Sequence, residues 1–88
     1  DVILMTPASV FPENFNPAKP YKIRAGVAGE SAKAVRELAK ELGLPFIDIH
    51  EVTASHPEFF LQDGVHPNEL GAKAIARTVY EALKDWGY

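Results

Sequence analysis

Cysteine is absent from this chain, so neither a disulfide nor a thiolate metal cage can staple it. No apolar run approaches the roughly 20 residues that a membrane-spanning helix requires. Basic residues are outnumbered, 9 Lys and Arg against 12 Asp and Glu, for a net charge of -3. No positive field is available to draw nucleic acid, and no polybasic or lipidation signal marks a membrane surface. Internal repeats and low-complexity tracts are also missing. What remains is 88 residues of ordinary apolar content, at most one small domain. A core of that size is marginal without staples.

Taken in order, the chain opens on Asp1-Val2-Ile3-Leu4-Met5-Thr6, inside an apolar β-type run and without an initiator Met. It is expected to be the C-terminal piece of something longer, any leader lying upstream. Val2–Met5 does not alternate, which suits a strand buried on both faces of a parallel sheet. Residues 7–26 hold Pro7, Pro12, Pro17, Pro20 and Gly26, and are expected to form a long connection. Phe11, Phe15 and Tyr21 are scattered through it, either as part of a functional lid or as pins holding the loop to the body.

Residues 28–42 read as a helix. Val35, Leu38, Ala39 and Leu42 form its apolar stripe, and Lys33, Arg36, Glu37, Lys40 and Glu41 form a solvated face. Gly43 supplies a left-handed stop, with Leu44 beyond it and Pro45 blocking continuation. Phe46–Ile49 is a second strand, completing a parallel βαβ unit. After a mixed connection over residues 50–62, Asn68 is the expected N-cap of a last helix running to about Lys84. Ala72, Ile75, Ala76, Val79, Leu83 and Trp86 are its expected buried stripe. Two strands make no stable sheet alone, so partner strands are expected upstream.

Ligands of open parallel sheets bind at the carboxyl ends of the strands. A last helix running opposite to the strands would start there, placing Asp63 and His66 on the same rim as Ser9 and His50. In Asp63-Gly64-Val65-His66-Pro67-Asn68 the glycine and proline mark a turn. A carboxylate on Nδ1–H fixes a histidine's tautomer and stabilises its imidazolium, which is the base half of a hydrolytic triad. Two readings stand side by side: Asp63 orients His66 for catalysis, or Asp63 caps the turn and His66 is a solvated loop residue.

Other candidates carry less. Ser31, in a Gly29-Glu30-Ser31 run similar to the Gly-Asp-Ser of some esterases, follows no strand and is expected to cap the helix start. Ser9 and Ser55 lack a G-x-S-x-G elbow and fit turn or loop roles. His50, His56, His66, Asp48 and Asp63 show no metal-ligand spacing. His56-Pro57 fits a surface turn. Asp48 is expected to bond backbone or cap the next turn.

The block Asp63-Gly64-Val65-His66-Pro67-Asn68, with Gly71-Ala72 and the helix after it, resembles the C-terminal block of the SGNH (GDSL-type) hydrolases. Val2–Pro7 and Leu44–Ile49 resemble that family's last two strands. The resemblance implies an α/β fold, flavodoxin-like, with three α/β/α layers around a parallel sheet. Residues 1–88 would be the C-terminal βαβα part of a single domain. It further implies a serine ester hydrolase in which His66 is general base and acid and Asp63 its orienting carboxylate. No cofactor and no metal is implied. The implied partners are a small-molecule or carbohydrate ester, as for sialate and other carbohydrate O-acetylesterases, and the N-terminal part of the same domain. That part would carry the nucleophilic serine and the oxyanion hole, so the 88 residues alone are expected to be inactive. Val65 and the aromatic loop are candidates for the acyl pocket. The alternative is a non-catalytic module of the same fold that lacks the nucleophile, and a third is another flavodoxin-like domain in which the Asp-His turn is chance.

Overall fold

The computed structural model describes residues 1–11 and 21–88, with side chains from residue 26 onward in the second stretch. The expected connection around Pro12, Phe15, Pro17 and Pro20 lies outside the described residues. The elements follow the order β1 (Leu4–Met5), α1 (Tyr21–Leu42), β2 (Phe46–Ile47), α2 (Ile49–Thr53), a 3-10 turn (Pro57–Phe59) and α3 (Glu69–Asp85). The fold is mixed α/β.

β1 and β2 pair in parallel, Leu4 opposite Phe46 and Met5 opposite Ile47. Leu4 N donates to Pro45 O and Thr6 N to Ile47 O, both at 3.1 Å. The strands are shorter than expected. Val2 and Met5 are exposed rather than buried on both faces, and among the described residues β1 has a single neighbouring strand. β2 stops at Ile47 because Asp48 turns the chain into α2, accepting from Glu51 N at 3.2 Å as its N-cap.

α1 begins at Tyr21, two turns before the expected start. No proline follows Pro20 until Pro45, so nothing blocks those extra turns. The helix ends as expected: Gly43 has φ +66°, Leu44 N donates to Ala39 O (2.9 Å) and Gly43 N to Lys40 O (3.3 Å). These are the two bonds of a Schellman stop. The buried stripe is rotated from the expected one. Ala32 and Ala39 are fully covered and Val35 half-covered, whereas Leu38 and Leu42 are exposed. Small residues sit where the helix axis comes close to its neighbours. Ser31 lies exposed inside α1, not at its start, so it caps nothing.

Arg36, assigned by pattern to the solvated face, instead forks onto Asp48, Nε to Oδ2 at 2.6 Å and Nη2 to Oδ1 at 3.0 Å. A largely covered carboxylate at the end of a strand needs partners, and a bidentate guanidinium is the strongest available. Thr6 Oγ1 adds a donation to Asp48 Oδ1 at 2.8 Å and accepts from His50 N at 2.9 Å. The Arg36 hydrogen bond, more than any other contact, holds the Asp48 carboxyl down to about 2.

The buried apolar set is small: Phe11, Ala32, Ala39, Ile47, Ile49 and Phe60. Phe11 and Phe60 pack as tilted rings 5.2 Å apart. Three covered polar residues lace the carboxyl ends of the strands to α2. Ser9 N donates to Thr53 Oγ1 (3.0 Å), Ser9 Oγ donates to His50 O (2.8 Å) and Thr53 Oγ1 donates to Ile49 O (2.8 Å). α3 packs against the 3-10 turn, α2 and β2. Gly71 is buried on its first turn. Ala74, Ile75, Thr78, Val79, Ala82 and Leu83 are half-buried along one face. Ala72, Ala76 and Trp86, placed by pattern in the stripe, are exposed.

Asp48→Ala should lower stability by about 2–3 kcal/mol, the scale for losing hydrogen bonds to a charged group while stranding their donors. A depressed carboxyl stabilises the fold above its unfolded value and loses that contribution as pH falls toward 2. Urea unfolding at pH 7 and at pH 2–3 should therefore show the gap between wild type and variant closing in acid. An equal gap at both would contradict the ion-pair origin.

Candidate functional site

The Asp63–His66 turn is built by a short hairpin. Leu61 N donates to His66 O and Asn68 N donates to Phe59 O, both at 2.8 Å. Phe60 and Pro67 face each other in antiparallel pairing between those bonds. That is a non-hydrogen-bonded position, so the N–H that proline lacks costs the ladder nothing.

The loop closes tightly. Gly64 N donates to Leu61 O at 2.8 Å, with Gly64 at φ +63°, a left-handed conformation that glycine takes without a Cβ penalty. Gly64 O in turn accepts from Phe11 N at 3.0 Å, which ties the turn to the segment leaving β1. The turn is thus joined at Gly64 to the segment that leaves the carboxyl end of β1, while Ser9 and His50 bond to each other and to neither Asp63 nor His66.

Asp63 has two tasks. Its Oδ1 accepts from Val65 N (2.9 Å) and His66 N (3.0 Å), an Asx-type turn that replaces the reciprocal ladder bond His66 would otherwise give Leu61. Its Oδ2 binds His66 Nδ1 directly. The His66 backbone N–H first, then the His66 ring and the Val65 N–H, draw the Asp63 carboxyl down to about 2. An ionised carboxylate only accepts, so Nδ1 carries the proton. In the neutral ring Nε2 is then the bare nitrogen. It makes no hydrogen bond among the described residues, and the His66 side chain is 73% exposed. The arrangement can hold one imidazole tautomer, present a base outward and stabilise the imidazolium that proton transfer creates. The capping role and the ring-holding role, posed as alternatives from sequence, are both performed by one carboxylate.

The other sequence candidates separate. The Ser9 hydroxyl is buried and committed to His50 O. Ser55 is exposed in the turn after α2. No serine hydroxyl meets His66 among the described residues. Asp48 caps α2, as expected, and binds Arg36. His56 sits at a surface turn with Nδ1 on Glu58 Oε1 at 2.7 Å and its ring stacked on Phe59 at 4.4 Å. Among the described residues no three His, Asp or Glu side chains converge as a metal site would need.

Pattern reading missed Asn68 beyond its cap. Its Oδ1 accepts from Gly71 N at 2.9 Å, as an N-cap should, but its Nδ2 also donates to Glu58 O (2.7 Å) and Phe60 O (3.3 Å). A Cβ at Gly71 would run into the Phe59 carbonyl, so glycine there allows the helix start to sit against the hairpin. The signal was present in the sequence as an amide-bearing cap, where serine or aspartate would have capped equally well.

The chain is 31% identical over 83 residues to an acetylxylan esterase of Xylanibacter ruminicola. The match takes in 94% of this chain but spans only 16% of the length of that curated relative. No family profile and no solved structure matches the chain.

Protonation of Asp63 weakens the acceptor that organises the turn and loses the charge that strengthens its bonds. The Asp63 carboxyl, followed by NMR, should titrate near pH 2. The Val65 and His66 amides should lose hydrogen-exchange protection as pH falls through that same window, not earlier. Protection that persists after the carboxyl is protonated would show that the carboxylate does not hold the turn.

Proposed function

We propose that this chain supplies the histidine–aspartate part of a serine ester hydrolase of SGNH type, acting on acetyl esters of a carbohydrate. The observation that carries the proposal is the Asp63 carboxylate on His66 Nδ1, with Nε2 making no hydrogen bond among the described residues and the turn tied at Gly64 to the segment leaving β1. Support for the ester class comes from the likeness to an acetylxylan esterase. On this proposal the 88 residues are the C-terminal βαβα part of a flavodoxin-like three-layer domain. The serine and its oxyanion donors come from another part of the same domain.

The chemistry then runs through one nitrogen. His66 Nε2 takes the proton of the serine hydroxyl as its oxygen bonds to the ester carbonyl carbon. Asp63, already ionised, stabilises the imidazolium without taking a proton itself. Collapse of the tetrahedral intermediate breaks the bond to the sugar oxygen, which leaves with the proton from Nε2. A water then gives its proton to Nε2 and its oxygen to the acyl carbon. Acetate leaves, and the proton returns to the serine.

His66→Ala in the protein carrying this chain should cut kcat on acetylated xylan or an aryl acetate by about 10⁴- to 10⁶-fold, as for other triad histidines. Because the side chain is mostly exposed, the melting temperature should hardly move. Near-normal turnover in the variant would sink the assignment. Absence of any ester turnover in the wild type would favour the non-catalytic module.

A further inference from the structure

The geometry points to Asn68 as a positioning residue for His66, through a clamp separate from its role as helix cap. This rests on His66 being the base of the proposed hydrolase. A side-chain bond from Asp63 fixes the ring of His66, but the ring can be no better placed than the backbone that carries it. That backbone is one arm of the hairpin joined by the Leu61–His66 and Phe59–Asn68 bonds. The hairpin is only one non-bonded pair long between its two bonds, and pairs of that length do not persist alone in water.

Asn68 closes it. One side chain reaches both the opposite arm, at Glu58 O and Phe60 O, and the first turn of α3, at Gly71 N. The amide is required for this. The acceptor half of the side chain caps the helix, and only the –NH₂ half can donate to two carbonyls. Gly71, with no side chain, lets the helix start approach the Phe59 carbonyl closely enough for the span to be bridged. The cap and the clamp thus use different atoms of one residue, and substitutions can separate them. Serine and aspartate cap as well as asparagine but cannot make both donations.

In the complete protein, Asn68→Ser should keep the melting temperature within a few degrees of wild type. It should lower kcat on an aryl acetate about 10- to 100-fold, the scale of a base displaced by about 1 Å, with KM within about threefold. On a His66→Ala background the same substitution should cost less than about twofold more, because there is no base left to place. Should the serine variant not fold, Asn68→Asp serves, with kcat taken on its pH plateau, and the same loss is expected. An unchanged kcat per folded molecule would leave Asn68 as a cap alone and overturn the proposal while the triad assignment stands. An equal loss on both backgrounds would show that Asn68 acts other than through His66, and overturns it too. A fully active His66→Ala protein overturns both.

Discussion

One carboxylate governs the turn at the centre of this chain. Asp63 accepts two backbone N–H groups with one oxygen and the His66 ring with the other. The first task fixes the loop and the second fixes the ring. Neither could be moved to another residue without rebuilding the hairpin, because the accepted N–H groups lie two and three positions along the same chain. The same bonds keep the carboxyl ionised, so in the neutral ring the proton sits on Nδ1 and Nε2 is the bare nitrogen. Local fold and acid–base character are therefore set together.

Around that turn, polar bonds do much of what a larger core would do. Six apolar residues are buried in the described part of the chain. Thr6, Ser9 and Thr53 are buried with them, each fully bonded, and no buried side-chain donor or acceptor is left unpaired among the described residues. The Arg36–Asp48 fork ties α1 to the end of β2, and the threonine and serine bonds tie the loop after β1 to α2. Asn68 then joins α3 to the hairpin. Directional contacts of this kind cost stability if any one is lost, but they fix angles more tightly than apolar packing does. The surroundings of the Asp63–His66 turn are built from them.

Local signals at fixed offsets were the legible ones. Gly43-Leu44-Pro45 announced a helix stop, Asn68 an N-cap, and Asp63–His66 a carboxylate within reach of an imidazole. Contacts between distant segments were not. Arg36 and Asp48 lie on different elements, and nothing in a helical charge pattern distinguishes a forked arginine from a solvated one. Periodicity names the apolar residues of a helix but not the line along which it meets its neighbours. On α1 that line runs through Ala32 and Ala39, because small residues permit close approach, and on α3 it takes in Gly71, Ala74 and Thr78 beside the expected Ile75, Val79 and Leu83. The prolines before residue 21 said nothing about Tyr21 onward, where the helix already runs. A serine partner for His66, which the proposed hydrolase requires, was not legible, and among the described residues no serine hydroxyl reaches it.

The most direct measurement is a crystal structure of the complete protein, treated with an organophosphonate that bonds covalently to an activated serine. The expected result is one phosphonylated serine with its Oγ within about 2.6–3.2 Å of His66 Nε2, and with Asp63 still on Nδ1. A labelled serine far from His66, or His66 facing solvent with Asp63 released from its ring, would contradict the assignment of this pair as half of a catalytic triad.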